Sequence, residues 1–128
     1  MSPCATAARR ILVVDDDASI REFIEMALTD EGYEVALATN GREALDQLAA
    51  DSPSLILLDM AMPVMDGRAF AEAYRATPGP HAPIVVVTAA HEAAERAAQV
   101  RADDYIAKPF DLDRLLEIVE RHASQAAL

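Results

Sequence analysis

Apolar residues fall along this chain in short blocks, each cut off by polar residues, with stretches of helical spacing between them. Residues 11–14 form a β-branched-rich run stopped at once by Asp15, Asp16 and Asp17. Ile20, Phe23, Ile24, Ala27 and Leu28 then recur at helical intervals, with Asp17 or Ser19 as the N-cap and Gly32 as the stop. Residues 33–38 read as a second strand, and Asn40-Gly41 turns the chain into a helix carrying Ala44, Leu45 and Leu48. Residues 55–58 are a continuous apolar strand running into Asp59. Asp66-Gly67 leads into a helix over 69–76, and the proline-rich segment 77–83 is a loop. A fourth strand over 84–87 ends at Thr88, and an alanine-rich helix spans 92–100. A fifth strand covers 105–107, and an amphipathic helix comes after it over 112–119.

Five strands therefore alternate with five helices. Several strands are apolar at every position, as strands buried on both faces are. Such alternation predicts a parallel sheet with right-handed crossovers and helices on both faces. The predicted fold is α/β, flavodoxin-like and doubly wound, with strand order 2-1-3-4-5.

The polar residues ending these strands carry the chemistry. The first strand ends in Asp15-Asp16-Asp17, the third in Asp59, the fourth in Thr88 and the fifth in Lys108. In an open parallel sheet the carboxyl ends share one edge, and ligands bind in the crevice there. Several carboxylates in one small volume repel one another unless a cation joins them. Oxygen donors without His or Cys suit Mg²⁺, which binds through one or two carboxylates and a phosphate. Asp59 can then act as a nucleophile toward phosphorus, with Thr88 and Lys108 meeting the other phosphoryl oxygens. Lys108 is the only lysine among eleven basic residues. Its compact ammonium suits a phosphoryl oxygen in a way that an arginine fork does not reproduce.

Composition narrows the class further. The chain of 128 residues fits one domain, 52% hydrophobic and only 5% aromatic, so its core is aliphatic. A net charge of −11 speaks against a nucleic-acid partner. Cys4 is the only cysteine, which excludes an internal disulfide and a cysteine–zinc site. No apolar run is long enough for a bilayer and none resembles a signal peptide, so a cytoplasmic location without a membrane partner is expected. Residues 1–9 read as a flexible tail and 10–128 as the domain. His81, His91 and His122 are too scattered for a ligand set and read as surface residues. Met60, Met62 and Met65 read as local packing, and Asp17 as a helix cap rather than a ligand.

The string Ile11-Leu-Val-Val-Asp-Asp-Asp17, then Leu58-Asp-Met-Ala-Met-Pro-Val-Met-Asp-Gly67, Val87-Thr-Ala89 and Asp103-Asp-Tyr-Ile-Ala-Lys-Pro-Phe110 resembles the receiver domain of bacterial two-component response regulators. The likeness runs from about residue 10 to residue 121. It implies that Asp59 accepts phosphate from a histidine kinase or a histidine phosphotransfer protein. It implies that Asp16 binds Mg²⁺ directly, Asp15 mainly through water, and Ala61 through its backbone carbonyl. Thr88 and Lys108 would contact the phosphoryl group, with a cis Lys108–Pro109 peptide. Tyr105 would be the switch aromatic, moving with Thr88. The fourth-helix, fifth-strand and fifth-helix face would then change its affinity for a downstream protein effector. The protein would be a monomer or a phosphorylation-dependent dimer. With no output domain in sight, a stand-alone phosphoacceptor is expected, not an enzyme beyond its own phosphorylation and dephosphorylation.

Two departures stand out. Arg101 occupies a position that is usually glycine in the family. Ala61 and Ala90 are small and apolar where polar residues often orient the hydrolytic water, so slow self-dephosphorylation is expected. Three other functions compete. Asp15-x-Asp17 resembles the nucleophile motif of haloacid-dehalogenase-like phosphatases, with Asp15 attacking. Against this, Asp103-Asp104 precedes the lysine instead of coming after it. A phosphate-independent pseudo-receiver would lack part of the site, yet all five residues are present. A flavin-binding protein needs a phosphate-cradling loop where this chain has three aspartates.

Overall fold

The computed structural model describes residues 10–50, 52–60 and 65–126, the last three by backbone alone. The expected tail over residues 1–9 lies outside them. The elements run β1 (Arg10–Val14), α1 (Ala18–Asp30), β2 (Glu34–Ala38), α2 (Gly41–Ala50), β3 (Leu55–Asp59), α3 (Gly67–Ala76), β4 (Ile84–Ala89), α4 (Ala93–Val100), β5 (Asp104–Lys108) and α5 (Leu112–Ala126). All strand pairings are parallel and the order is β2-β1-β3-β4-β5, as the alternation predicts.

Because successive side chains in a strand point to opposite faces, the apolar runs feed two cores. Leu12, Val14, Ile56, Leu58 and Val86 pack against Ala44 of α2, Phe70 and Tyr74 of α3, and Ala97 and Val100 of α4. Ile11, Val13, Leu55, Leu57, Val85 and Val87 pack against Ile24 and Leu28 of α1 and Leu115, Ile118 and Val119 of α5. Burying each such aliphatic side chain contributes roughly 1.5–3 kcal/mol, and this two-sided burial fixes the strand register.

Three local details refine the sequence reading. Asp17 rather than Ser19 caps α1, its carboxylate accepting from the amides of Ser19 and Ile20 at 2.8 and 3.2 Å. A 3₁₀ turn over Ala90–Glu92 leads into the fourth helix, which begins one residue later than expected. The fifth helix runs to Ala126, well past residue 119. His122 lies in this extension. It continues the stripe of Leu115, Ile118 and Val119 and is buried, correcting the expectation of a surface histidine. Its Nε2 pairs with Asp104 Oδ2 at 3.0 Å, which makes a histidine tolerable where an apolar residue would otherwise stand. Burial opposes the ionisation of Asp104, but hydrogen bonds from His122 and the Tyr105 amide outweigh it and hold the carboxyl below its ordinary value. His81 and His91 are exposed, as expected.

Arg101 closes α4 in the left-handed conformation, at φ 53° and ψ 45°. Its amide returns to Ala98 O at 3.2 Å and that of Ala102 to Ala97 O at 2.9 Å, the pattern usually built on glycine. The Arg75 guanidinium, from α3, donates to the carbonyls of Val100 and Arg101 and steadies this end. This position thus carries a side chain in a conformation that glycine adopts more readily. Arg101→Gly should raise unfolding free energy by about 0.5–1 kcal/mol, since relief of the left-handed strain exceeds the added unfolded-chain entropy. The Arg75 bonds go to backbone oxygens and survive the change. The urea midpoint should rise at unchanged slope.

Candidate functional site

The sheet brings the predicted residues to one edge. Asp59 is the last residue of β3 and stands opposite Val87, so Thr88 lies one position further along the neighbouring strand. Thr88 in turn pairs with Ala107, and Ala89 with Lys108. Asp15 comes directly after β1, its amide bonded to Ala38 O at 3.1 Å. Asp15, Asp59 and Thr88 are buried, with 2%, 6% and 7% of their surface exposed. Buried polar residues clustered at a sheet edge serve no core-packing purpose.

Carboxylate oxygens of Asp15, Asp16 and Asp59 lie within 4.8 Å of one another. Ligands of an octahedral Mg²⁺ at about 2.1 Å stand about 3–4.2 Å apart, so a small closure of this set would meet the requirement. The donors are all hard oxygens, which fits that ion. Burial pushes the Asp15 carboxyl above its ordinary value, opposed by the Asp17 amide and by Lys108. A buried carboxylate so placed is stabilised by a cation.

The acids divide their work unequally. Asp15 Oδ1 accepts from the Asp17 amide at 2.9 Å, and Oδ2 faces Lys108 Nζ at 3.4 Å. Both of its oxygens are committed. Asp16 is exposed, with its carboxylate open to solvent. Lys108 Nζ also stands 3.7 Å from Asp59 Oδ1 and so lies between the two buried acids. The Lys108–Pro109 peptide is cis.

Tyr105 is apart from this group, on β5 opposite Val86 and partly exposed. Asp17 is a cap, as expected. Met60 is buried, and Met65 packs beside the same core; Ala61 and Met62 lie outside the described residues.

One positioning contact escaped the sequence reading. Gly67 opens α3, capped by Asp66, which accepts from the Ala69 amide at 2.9 Å. A Cβ on Gly67 would meet the Asp59 carbonyl oxygen and Met60 Cα, both at 2.8 Å. The Gly67 amide donates to Met60 O at 3.1 Å. The glycine is there for space against backbone, not for an unusual φ. Gly67→Ala should cost about 1–3 kcal/mol by overpacking and displace the end of β3. Chemical denaturation, together with the Asp59 amide resonance, would show both.

Residues 11–120 match the response regulator receiver domain family. The chain belongs to that family. Response regulator MprA of Mycolicibacterium vanbaalenii is 48% identical over 109 residues, covering 84% of this chain and 47% of that protein. The chain thus spans about half the length of the curated relatives it matches. Among solved structures, the NtrX receiver domain from Brucella abortus is 32% identical with a TM-score of 0.81, covering 89% of this chain and 98% of its own. The chemotaxis response regulator CheY4 of Vibrio cholerae is 35% identical with a TM-score of 0.82, covering 90% and 98%. As a receiver domain, the chain is a two-component signalling module rather than a conventional enzyme, and the haloacid-dehalogenase reading loses its footing. Among the described residues, no helix is long and apolar enough to cross a membrane.

Proposed function

We propose that this receiver takes a phosphoryl group from a histidine kinase or a histidine phosphotransfer protein onto Asp59 and thereby changes its affinity for a protein effector. The observation that carries this is the convergence of Asp15, Asp16 and Asp59, with the chain's only lysine between Asp15 and Asp59. An Asp59 carboxylate oxygen attacks phosphorus, and the P–N bond to the donor imidazole breaks. Its electron pair returns to the ring nitrogen, and an acyl phosphate remains on Asp59. Lys108 and Thr88 hold the phosphoryl oxygens where charge develops.

Magnesium, when bound, neutralises the acids and coordinates a phosphoryl oxygen. Asp16 and Asp59 would hold it directly, with the Ala61 carbonyl as a further ligand. Asp15, both oxygens already engaged, would reach it mainly through water. The ordinary output is a shift of Thr88 toward phosphate, with Tyr105 moving inward after it, which re-forms the α4–β5–α5 face. The exposure of Tyr105 supports this, since an aromatic already buried would have nowhere to move. That face also suits phosphorylation-dependent pairing of two otherwise monomeric copies. The net charge of −11 speaks against a nucleic-acid partner for this chain, and a cytoplasmic setting is in keeping with a cytoplasmic phosphodonor.

Ala90 is exposed at the start of the 3₁₀ turn and has no polar group to orient an attacking water. The phosphorylated protein should therefore persist for minutes or longer, monitored as loss of acid-labile phosphate. Decay within seconds would refute the assignment of slow turnover. The function itself is tested by phosphotransfer profiling against candidate histidine kinases, with Mg²⁺ present or chelated. Uptake from none of them, nor from acetyl phosphate, would favour a phosphate-independent module.

A further inference from the structure

The mechanism uses three acidic carboxylates but leaves unexplained what aims the exposed one. Asp16 has its carboxylate in solvent, so its direction is set through the backbone on either side. The Asp16–Asp17 peptide is fixed by the Asp17 amide, bonded to Asp15 Oδ1 at 2.9 Å. The Asp15–Asp16 peptide is fixed by Arg21, whose Nη1 donates to the Asp15 carbonyl oxygen at 2.8 Å. The Arg21 amide also donates to Asp17 O at 3.0 Å. One residue of α1, half-buried, thus binds the acidic loop before and after Asp16.

We infer that Arg21 is a positioning residue for the divalent cation, holding the Asp15–Asp16 peptide plane so that Asp16 points at Asp15 and Asp59. The inference rests on the magnesium reading above. Two effects of Arg21 oppose each other, and this makes the inference testable by sign. Its positive charge near the acids repels a cation, so charge alone predicts tighter binding when Arg21 is neutralised. Arg21 lies close to the acids, so salt screens this repulsion only in part, the Debye length being about 8 Å at physiological salt. Its hydrogen bond acts on the ligand's own backbone, and residues that orient metal ligands typically carry 10–100-fold in affinity. Positioning should therefore win.

The test is calorimetric titration of the whole chain with MgCl₂ at fixed ionic strength, beside melting in EDTA. Arg21→Met and Arg21→Gln should each weaken Mg²⁺ binding about fivefold or more. Arg21→Lys, which keeps a donor of sufficient reach, should recover most of that loss. Melting temperatures in EDTA should stay close to that of the unsubstituted protein, because Met and Gln keep most of the aliphatic stem that Arg21 packs. Binding as tight as, or tighter than, that of the parent in the neutral variants would overturn the role. If the parent itself binds no Mg²⁺, the magnesium reading falls with it. If the parent binds and the neutral variants do not weaken, only the role of Arg21 falls.

Discussion

Asp59→Asn should abolish phosphoryl uptake, by at least about 10³-fold, because the amide has no nucleophilic oxyanion to attack phosphorus. The same change should leave the fold intact or slightly firmer in EDTA. Asp15 and Asp59 are two buried acids sharing the single ammonium of Lys108, at 3.4 and 3.7 Å. Neutralising one leaves the other balanced by that lysine and removes a like-charge repulsion. Loss of uptake with an undiminished melting temperature would separate chemistry from folding. Acid-labile phosphate measured on the whole protein and on Asp59→Asn is the direct check. Phosphate that persists in the variant and maps to Asp15 would revive the phosphatase chemistry.

Lys108→Met should divide the site's two ligands. Phosphoryl uptake should fall by about 10²-fold or more, since the ammonium meets charge that develops on the transferring group. Mg²⁺ binding should tighten, by about tenfold, or about 1.4 kcal/mol. The ammonium faces the same Asp15 and Asp59 oxygens that the cation needs, so removing it relieves a repulsion and frees ligands. In EDTA the variant should melt lower than the parent, the two buried acids being left without their counter-charge. Added Mg²⁺ should then raise its melting temperature more than it raises the parent's. Calorimetric titration and thermal melts with and without Mg²⁺ read both signs. Weaker Mg²⁺ binding in Lys108→Met would mean that the lysine organises the pocket rather than competing for it.

The strands and the edge they share were legible because each apolar run stops at a polar residue that has a purpose. Asp15, Asp59, Thr88 and Lys108 are tips of β1, β3, β4 and β5 or adjoin them, and parallel pairing puts them together. The cap of α1 was narrowed to two residues, and only the backbone distinguishes Asp17 from Ser19. His122 was hidden because a histidine breaks an apolar pattern. Its place four residues after Ile118 and seven after Leu115 was the available signal. Arg101 was visible as an anomaly, but the bond to its carbonyl from an arginine twenty-six residues away was not. Arg21 gives no periodic signal at all, because its role is a side-chain bond to a backbone oxygen. Such contacts depend on how a helix is rotated against a loop, which residue type does not encode.

The glycine that opens α3 has one more consequence. With Gly67 pressed against the Asp59 carbonyl and bonded to Met60, the proposed phosphoacceptor is anchored like the stator of a motor. On the proposed function, displacement caused by phosphate would be taken up on the opposite flank, by β4 and α4. There the helix begins on an uncapped 3₁₀ turn and buries only Ala93, Ala97 and Val100. Rotor and stator thus differ in how they are held, one by close backbone contact at the site itself and the other by small side chains and by the Arg75 bonds at its far end.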